Sequence, residues 1–364
     1  MSKSLLFIPD ISGFTKFVQT TEVEHSQHVI AELLEVLINA NTQELELAEI
    51  EGDALFFYKE GEITSQERLL AQIETMFTAF YGHLKLLEKN RICPCNACAT
   101  AHNLQLKIVA HAGEIRFLQV QGNRKPFGTQ VIEAHRLLKN SIASENYTLI
   151  SKDLANDLEL PVSYHSKVFL FKEGEDIYDE REVQYIYSII DSEKLNLNSF
   201  TQAKKVEFSV APKITLEKRF PIGAKSLYEY ITNYNYRHHW VKGVDKFEYN
   251  ENEVTRLGTE HVCVINGKQL NFVTVTKDSV PGQMVYGELT SDAPLINQIY
   301  QFYIITPIDI SHCILRLETY WESNSIPKKI FSSLVLVRTL KKNNAKALEG
   351  LLLFVDQKVV AAPQ

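Results

Sequence analysis

The chain has 364 residues, 45% of them hydrophobic and 23% charged, which excludes a disordered or fibrous protein and suggests two domains. It contains no uncharged apolar run near the roughly 18–20 residues of a membrane span, and a net charge of −7 weighs against nucleic acid as the main partner. Residues 1–200 carry net −11 and residues 201–364 net +4, an asymmetry expected of two units with different roles.

The first strand is predicted over Leu5–Pro9. Its apolar run stops at Pro9–Asp10, too short for a signal-peptide core, so the expected location is cytoplasmic. Val29, Ile30, Leu33, Leu34, Leu37 and Ile38 fall at helical spacing. Leu45–Ile50 and Ala54–Tyr58 flank Glu51–Gly52–Asp53 and predict a hairpin. A second long helix follows over about 65–89, then a strand Leu104–Ala110 and a helix from Thr129 to Asn140. This β-α-β-β-α-β order predicts an α+β, ferredoxin-like unit. Val183–Ile190 reads as its last strand, and the polar stretch from Asp191 reads as a linker over 191–207.

Beyond the linker, Ile214–Phe220 predicts a strand ended by Pro221, followed by a helix Ala224–Thr232. Strands with hairpin signals come next, notably Asn266–Gly267 between Val262–Ile265 and Leu270–Val275. From about Pro327 to Gln357 the apolar residues Leu348, Leu351, Leu352 and Val355 mark a long helix. An antiparallel sheet wrapped on that helix is the expected shape of residues 208–360.

Three segments of the first unit bear chemistry: Phe7-Ile8-Pro9-Asp10-Ile11-Ser12-Gly13-Phe14-Thr15, Glu49-Ile50-Glu51-Gly52-Asp53-Ala54, and His111-Ala112-Gly113-Glu114. Asp10 ends the first strand and Asp53 sits at a hairpin tip, on neighbouring strands of the ferredoxin-like order. Two carboxylates and a nearby backbone carbonyl are oxygen ligands suited to Mg2+ or Mn2+ carrying a nucleoside triphosphate. Gly13 would let the backbone approach phosphate closely. His111 reads as a strand-end packing residue.

These motifs resemble the class III nucleotidyl cyclases over roughly residues 3–190. Asp10 in D-I-S-G-F-T and Asp53 in E-G-D-A match that family's metal-binding aspartates. The resemblance implies metal ligation by Asp10, Ile11 and Asp53, nucleotide contacts from Ile11, Gly13, Phe14, Thr15, Glu49 and Lys125, and a homodimer with sites between the copies. It also implies a two-metal attack of the ribose 3′-hydroxyl on the α-phosphate, forming a 3′,5′-cyclic nucleotide. Arg136, in the segment Lys125 to Arg136, matches the family's transition-state arginine.

Three positions depart from the family pattern. Glu49 stands where adenylyl cyclases carry a base-reading Lys and guanylyl cyclases a Glu. Lys125 occupies the second base-reading position. Ile132 replaces the Asn that orients the ribose, so the alternative is a degenerate domain that binds a nucleotide without cyclising it.

Residues 208–360 resemble the START-like (SRPBCC) helix-grip superfamily through Ile214–Phe220, Leu227–Ile231, the turn Tyr236 to Val244 and the terminal helix. That resemblance implies a small apolar ligand between sheet and helix, with Phe272, Tyr286, Tyr300, Phe302 and Tyr320 as candidate lining. The cysteines give a separate signal. Cys93, Cys95, Cys98 and His102 lie within ten residues and supply the three thiols and one imidazole of a tetrahedral zinc set, with redox sensing or inert thiols as alternatives.

Overall fold

The structure is a computed structural model that describes residues 2–197, 205–251, 253–265, 267–292, 298–322 and 337–361. Among these residues no helix is long and apolar enough to cross a membrane. The fold is mixed α+β with two large sheets. It divides into two units, Met1–Glu88 with Thr100–Phe200, and Lys89–Ala99 with Thr201–Gln364.

The elements up to residue 190 are β1 (Ser4–Ser12), α1 (Phe14–Thr20), α2 (Val23–Asn39), β2 (Glu46–Glu51), β3 (Ala54–Lys59), α3 (Gln66–Lys89), α4 (Asn96–Thr100), β4 (Gln105–Gly113), β5 (Arg116–Val120), β6 (Asn123–Phe127), α5 (Thr129–Arg136), β7 (Tyr147–Ser151), α6 (Lys152–Asp157), β8 (Lys172–Tyr178) and β9 (Arg181–Ile189). The large sheet of the first unit runs β2-β3-β1-β4-β7-β9-β8. Strand β1 is antiparallel to both β3 and β4, so its first four strands have the order of a split βαβ motif, as the element pattern suggests.

Helix α2 buries Val29, Ile30, Leu33, Leu34 and Leu37, the stripe that its apolar spacing marks. Each such side chain contributes about 1.5–3 kcal/mol when fully buried. Helix α5 ends at Arg136, short of the expected Asn140. There the Asn140 amide donates to the Leu137 carbonyl at 2.7 Å and to the Tyr147 hydroxyl at 2.7 Å, a local bond that competes with further helix. Ala134 and Leu137 anchor this helix region in the core, the first with Leu6, Ile8 and Phe56, the second with Val109 and Leu149. Ile132 faces outward, 52% exposed. Leu195, inside the stretch read as linker, is buried, while residues 198–204 lie outside the described ones.

The second unit contains β10 (Ile214–Phe220), α7 (Ala224–Thr232), α8 (Arg237–Trp240), β11 (Lys246–Glu248), β12 (Glu260–Ile265), β13 (Lys268–Val275), β14 (Met284–Thr290), β15 (Gln298–Pro307), β16 (Cys313–Glu322) and α9 (Val337–Ala361). Its strands form one antiparallel sheet, β10-β16-β15-β14-β13-β12-β11. Asn266, named for the hairpin, lies outside the described residues, as do residues 323–336 at the expected start of the long helix. Helix α9 buries Leu348, Leu351, Phe354 and Val355 and packs on α8 and β10. A β-carbon at Gly350 would lie 2.4 Å from the Trp240 carbonyl oxygen, so only glycine allows this approach.

Candidate functional site

Strand β1 carries Asp10 at its C-terminal end, between Ala54 of β3 and Lys107 of β4. The hairpin between β2 and β3 brings Asp53 to the same edge, and the Ile11 amide donates to the Asp53 carbonyl at 3.0 Å. A strand and a hairpin turn far apart in the chain thus deliver both carboxylates to one edge. Gly13 follows at φ +88°, a left-handed backbone that glycine adopts without the penalty of a β-carbon, and turns the chain into α1.

The electrostatics follow from partial burial. Asp10 is pushed up to about 6, first by desolvation and then by the charge of Asp53, against the lowering pull of Lys107. Desolvation likewise raises Asp53. The Lys107 ammonium lies 3.7 Å from Asp10 Oδ1. Ser12, on the same strand face as Asp10 by the two-residue period, has a buried hydroxyl with no hydrogen-bond partner among the described residues. Two desolvated carboxylates and a spare hydroxyl form a hard-oxygen donor set, and a divalent cation would relieve the charge strain at both aspartates. The donors therefore fit Mg2+ or Mn2+.

The remaining candidates lie on neighbouring elements. Glu49 and Lys125 bond to each other, Nζ to Oε1 at 2.8 Å, as a half-exposed ion pair. A second pair, Arg124 with Glu60, ties the same β5–β6 hairpin to the turn after β3, at 2.7 Å. Arg136 donates to Asp179 at the β8–β9 turn. His135, one residue earlier, reaches Glu51 at 3.0 Å. His111 is buried between the Ser151 hydroxyl at 2.8 Å and Gln130 Oε1 at 2.6 Å, and its pKa is lowered by that burial. It is a core histidine. Sequence reasoning did not single out Lys107, Ser12 or Asp179. Lys107 does stand at an interrupting polar position of an apolar strand, which was the available signal.

In the second unit the sheet has two unlike faces. Tyr286 and Glu288 of β14, with His261 of β12, share the face that Tyr234 and Arg237 cover. There the buried Arg237 guanidinium pairs with Glu288 and donates to the Ile231 carbonyl at 2.9 Å. The Tyr286 hydroxyl donates to Glu288 at 2.7 Å. Tyr300, Phe302 and Tyr320 alternate onto the opposite face, where Phe208 stacks on Tyr320 at 4.0 Å. The expectation that all five aromatics line one cavity is therefore corrected: Phe272 and Tyr286 share the helix-covered side, and the other three do not. Their strand positions differ by odd offsets in register, which the sequence alone does not reveal.

All five cysteines are thiols. The sulfurs of Cys93, Cys95 and Cys98 lie within 4.8 Å of one another. His102 is exposed on the short turn Ala101–Asn103.

Residues 30–147 match a family described as "Protein of unknown function (DUF2652)". The uncharacterized protein Rv2561/Rv2562 of Mycobacterium tuberculosis is 34% identical over 130 residues, 36% of this chain and 60% of that protein. This chain thus spans about 60% of that relative's length. Several solved structures similar to about half of the chain are nucleotidyl cyclases. One is the adenylyl cyclase CyaB from P. aeruginosa, at 17% identity and a TM-score of 0.39, covering 52% of this chain and 94% of that one. Another is the guanylate cyclase domain of RhGC from Catenaria anguillulae in complex with GTP, at 15% and 0.36, covering 52% and 97%. Likeness at this distance says nothing about activity.

Proposed function

We propose that the first unit is a class III cyclase-like domain that binds a nucleoside triphosphate through divalent cations and forms a 3′,5′-cyclic nucleotide slowly. The observation that carries this reading is the convergence of Asp10 and Asp53 at one sheet edge, locked by the Ile11–Asp53 backbone bond. The residues around them agree with the motifs D-I-S-G-F-T and E-G-D-A. When bound, Mg2+ or Mn2+ would supply Lewis-acid stabilisation of the phosphates. Asp10 and Asp53 would hold the cations with the Ile11 carbonyl, and the backbone from Ile11 to Thr15 would follow the triphosphate past the Gly13 turn.

Glu49 and Lys125 would meet the base. Arg136 would stabilise charge on the α-phosphate from a second copy of the chain. Leu47, Ile50, Leu118, Val120, Phe127 and Ile132 are exposed apolar side chains on β2, the β5–β6 hairpin and α5, and they support a homodimer through that side. The second unit, with its antiparallel seven-strand order and terminal helix, would be a START-like domain whose ligand gates the first.

A second reading rests on specific observations. Ile132 offers no hydrogen bond to a ribose, and Glu49 and Lys125 satisfy each other. Loss of one positioning group costs a hundredfold or so, so a nucleotide sensor without turnover is the alternative. Incubation with Mn2+ and each of the four nucleoside triphosphates separates them. Cyclic product that disappears in Asp10→Ala and Asp53→Ala supports the enzyme. Triphosphate binding without product supports the sensor.

A further inference from the structure

The segment Lys89–Ala99 belongs with the second unit and is held there at two points. The Tyr228 hydroxyl donates to the Ile92 carbonyl at 3.1 Å, and the Leu257 amide donates to the Asn90 carbonyl at 2.9 Å. Between these anchors and α4, three cysteines converge. Cys93 and Cys95 are buried and Cys98 is half-buried, with the three sulfurs within 4.8 Å of one another.

The backbone treats these sulfurs as acceptors. The Cys95 amide points at Cys93 Sγ at 3.4 Å, and the Cys98 amide points at Cys95 Sγ at 3.3 Å. Amide donors aimed at sulfur orient it and hold its lone pairs toward the centre of the cluster. Simple packing of thiols needs neither the amides nor the convergence.

We propose that Cys93, Cys95 and Cys98 bind a zinc-type divalent cation as three thiolates. The ion would fix the turn that leads into α4. Its soft sulfur donors set it apart from the hard-oxygen site at Asp10 and Asp53, so it stands or falls independently of the proposed cyclase chemistry.

The test uses the full chain purified from zinc-supplemented medium. Elemental analysis should give about one zinc per chain. Replacement by Co2+ should give the intense visible bands of a tetrahedral, sulfur-rich site. Cys95→Ser and Cys98→Ser should each lose the ion. Because a cysteine variant can fail to fold, the native chain is also alkylated with and without a chelator. Cys93, Cys95 and Cys98 should become reactive only after chelation. Sub-stoichiometric metal, or a disulfide among the three with no change on chelation, would overturn the proposal.

Discussion

Arg237→Met tests whether the second unit depends on a buried charge pair. Arg237 and Glu288 are both nearly sealed, their side chains 4% and 6% exposed. Burial alone would raise the Glu288 carboxyl, but the charge of Arg237, with the hydrogen bond from the Tyr286 hydroxyl, holds it below its ordinary range. Removing the guanidinium strands a carboxylate whose remaining partners are the Tyr286 hydroxyl at 2.7 Å and His261 at 3.6 Å. Breaking one side of a buried pair costs about 3–5 kcal/mol. For a unit of this size that corresponds to a fall in Tm of roughly 6–20 °C. Thermal and urea unfolding, followed by near-ultraviolet circular dichroism, would read the loss. The double variant Arg237→Met with Glu288→Leu should recover much of it, because neither charge is then stranded. A single-variant cost below about 1 kcal/mol, the level of an exposed pair, would refute the reasoning.

Further expectations follow from other residues. Burial, with the charge of Arg237, lowers His261 from 6.5 to about 4 against the raising charge of Glu288, so it is neutral in the fold. The unfolded chain then binds more protons between pH 6.5 and 4, and stability should fall by up to about 3 kcal/mol as pH drops through that window. Denaturant titrations of His261→Asn should show a weaker acid-side loss. Gly350→Ala should destabilise by about 1–3 kcal/mol by pushing α9 off the Trp240 carbonyl, measured as a shift in the urea midpoint. Lys125→Ala breaks only a half-exposed ion pair, so stability should change by less than about 1 kcal/mol, while the order of preference among triphosphates changes. Ile132→Asn should raise cyclic product formation by roughly tenfold or more. An unchanged rate would dissociate Ile132 from the impaired step.

The local periodicities carried most of the fold. The stripe on α2, the β2–β3 hairpin and the Ala224–Thr232 helix follow from spacing and turn chemistry, which act within a few residues. What was illegible depends on register. No local pattern says that Lys107 faces Asp10, or that Tyr286 and Tyr300 occupy opposite faces of one sheet. The same holds for the cysteines. Their spacing puts three thiols close in sequence, but that the three sulfurs lie within 4.8 Å of one another depends on the turn that the chain makes into α4. The two aspartates were legible because each sits at a strand end fixed by its own motif.

The most direct test of a metal–nucleotide site is calorimetric titration of the full chain with a non-hydrolysable nucleoside triphosphate, with and without Mn2+. Saturable binding that requires Mn2+ and disappears in Asp10→Asn and Asp53→Asn, both folded by circular dichroism, is the expected result. Binding that is indifferent to Mn2+ or to both substitutions, or absent altogether, would contradict it.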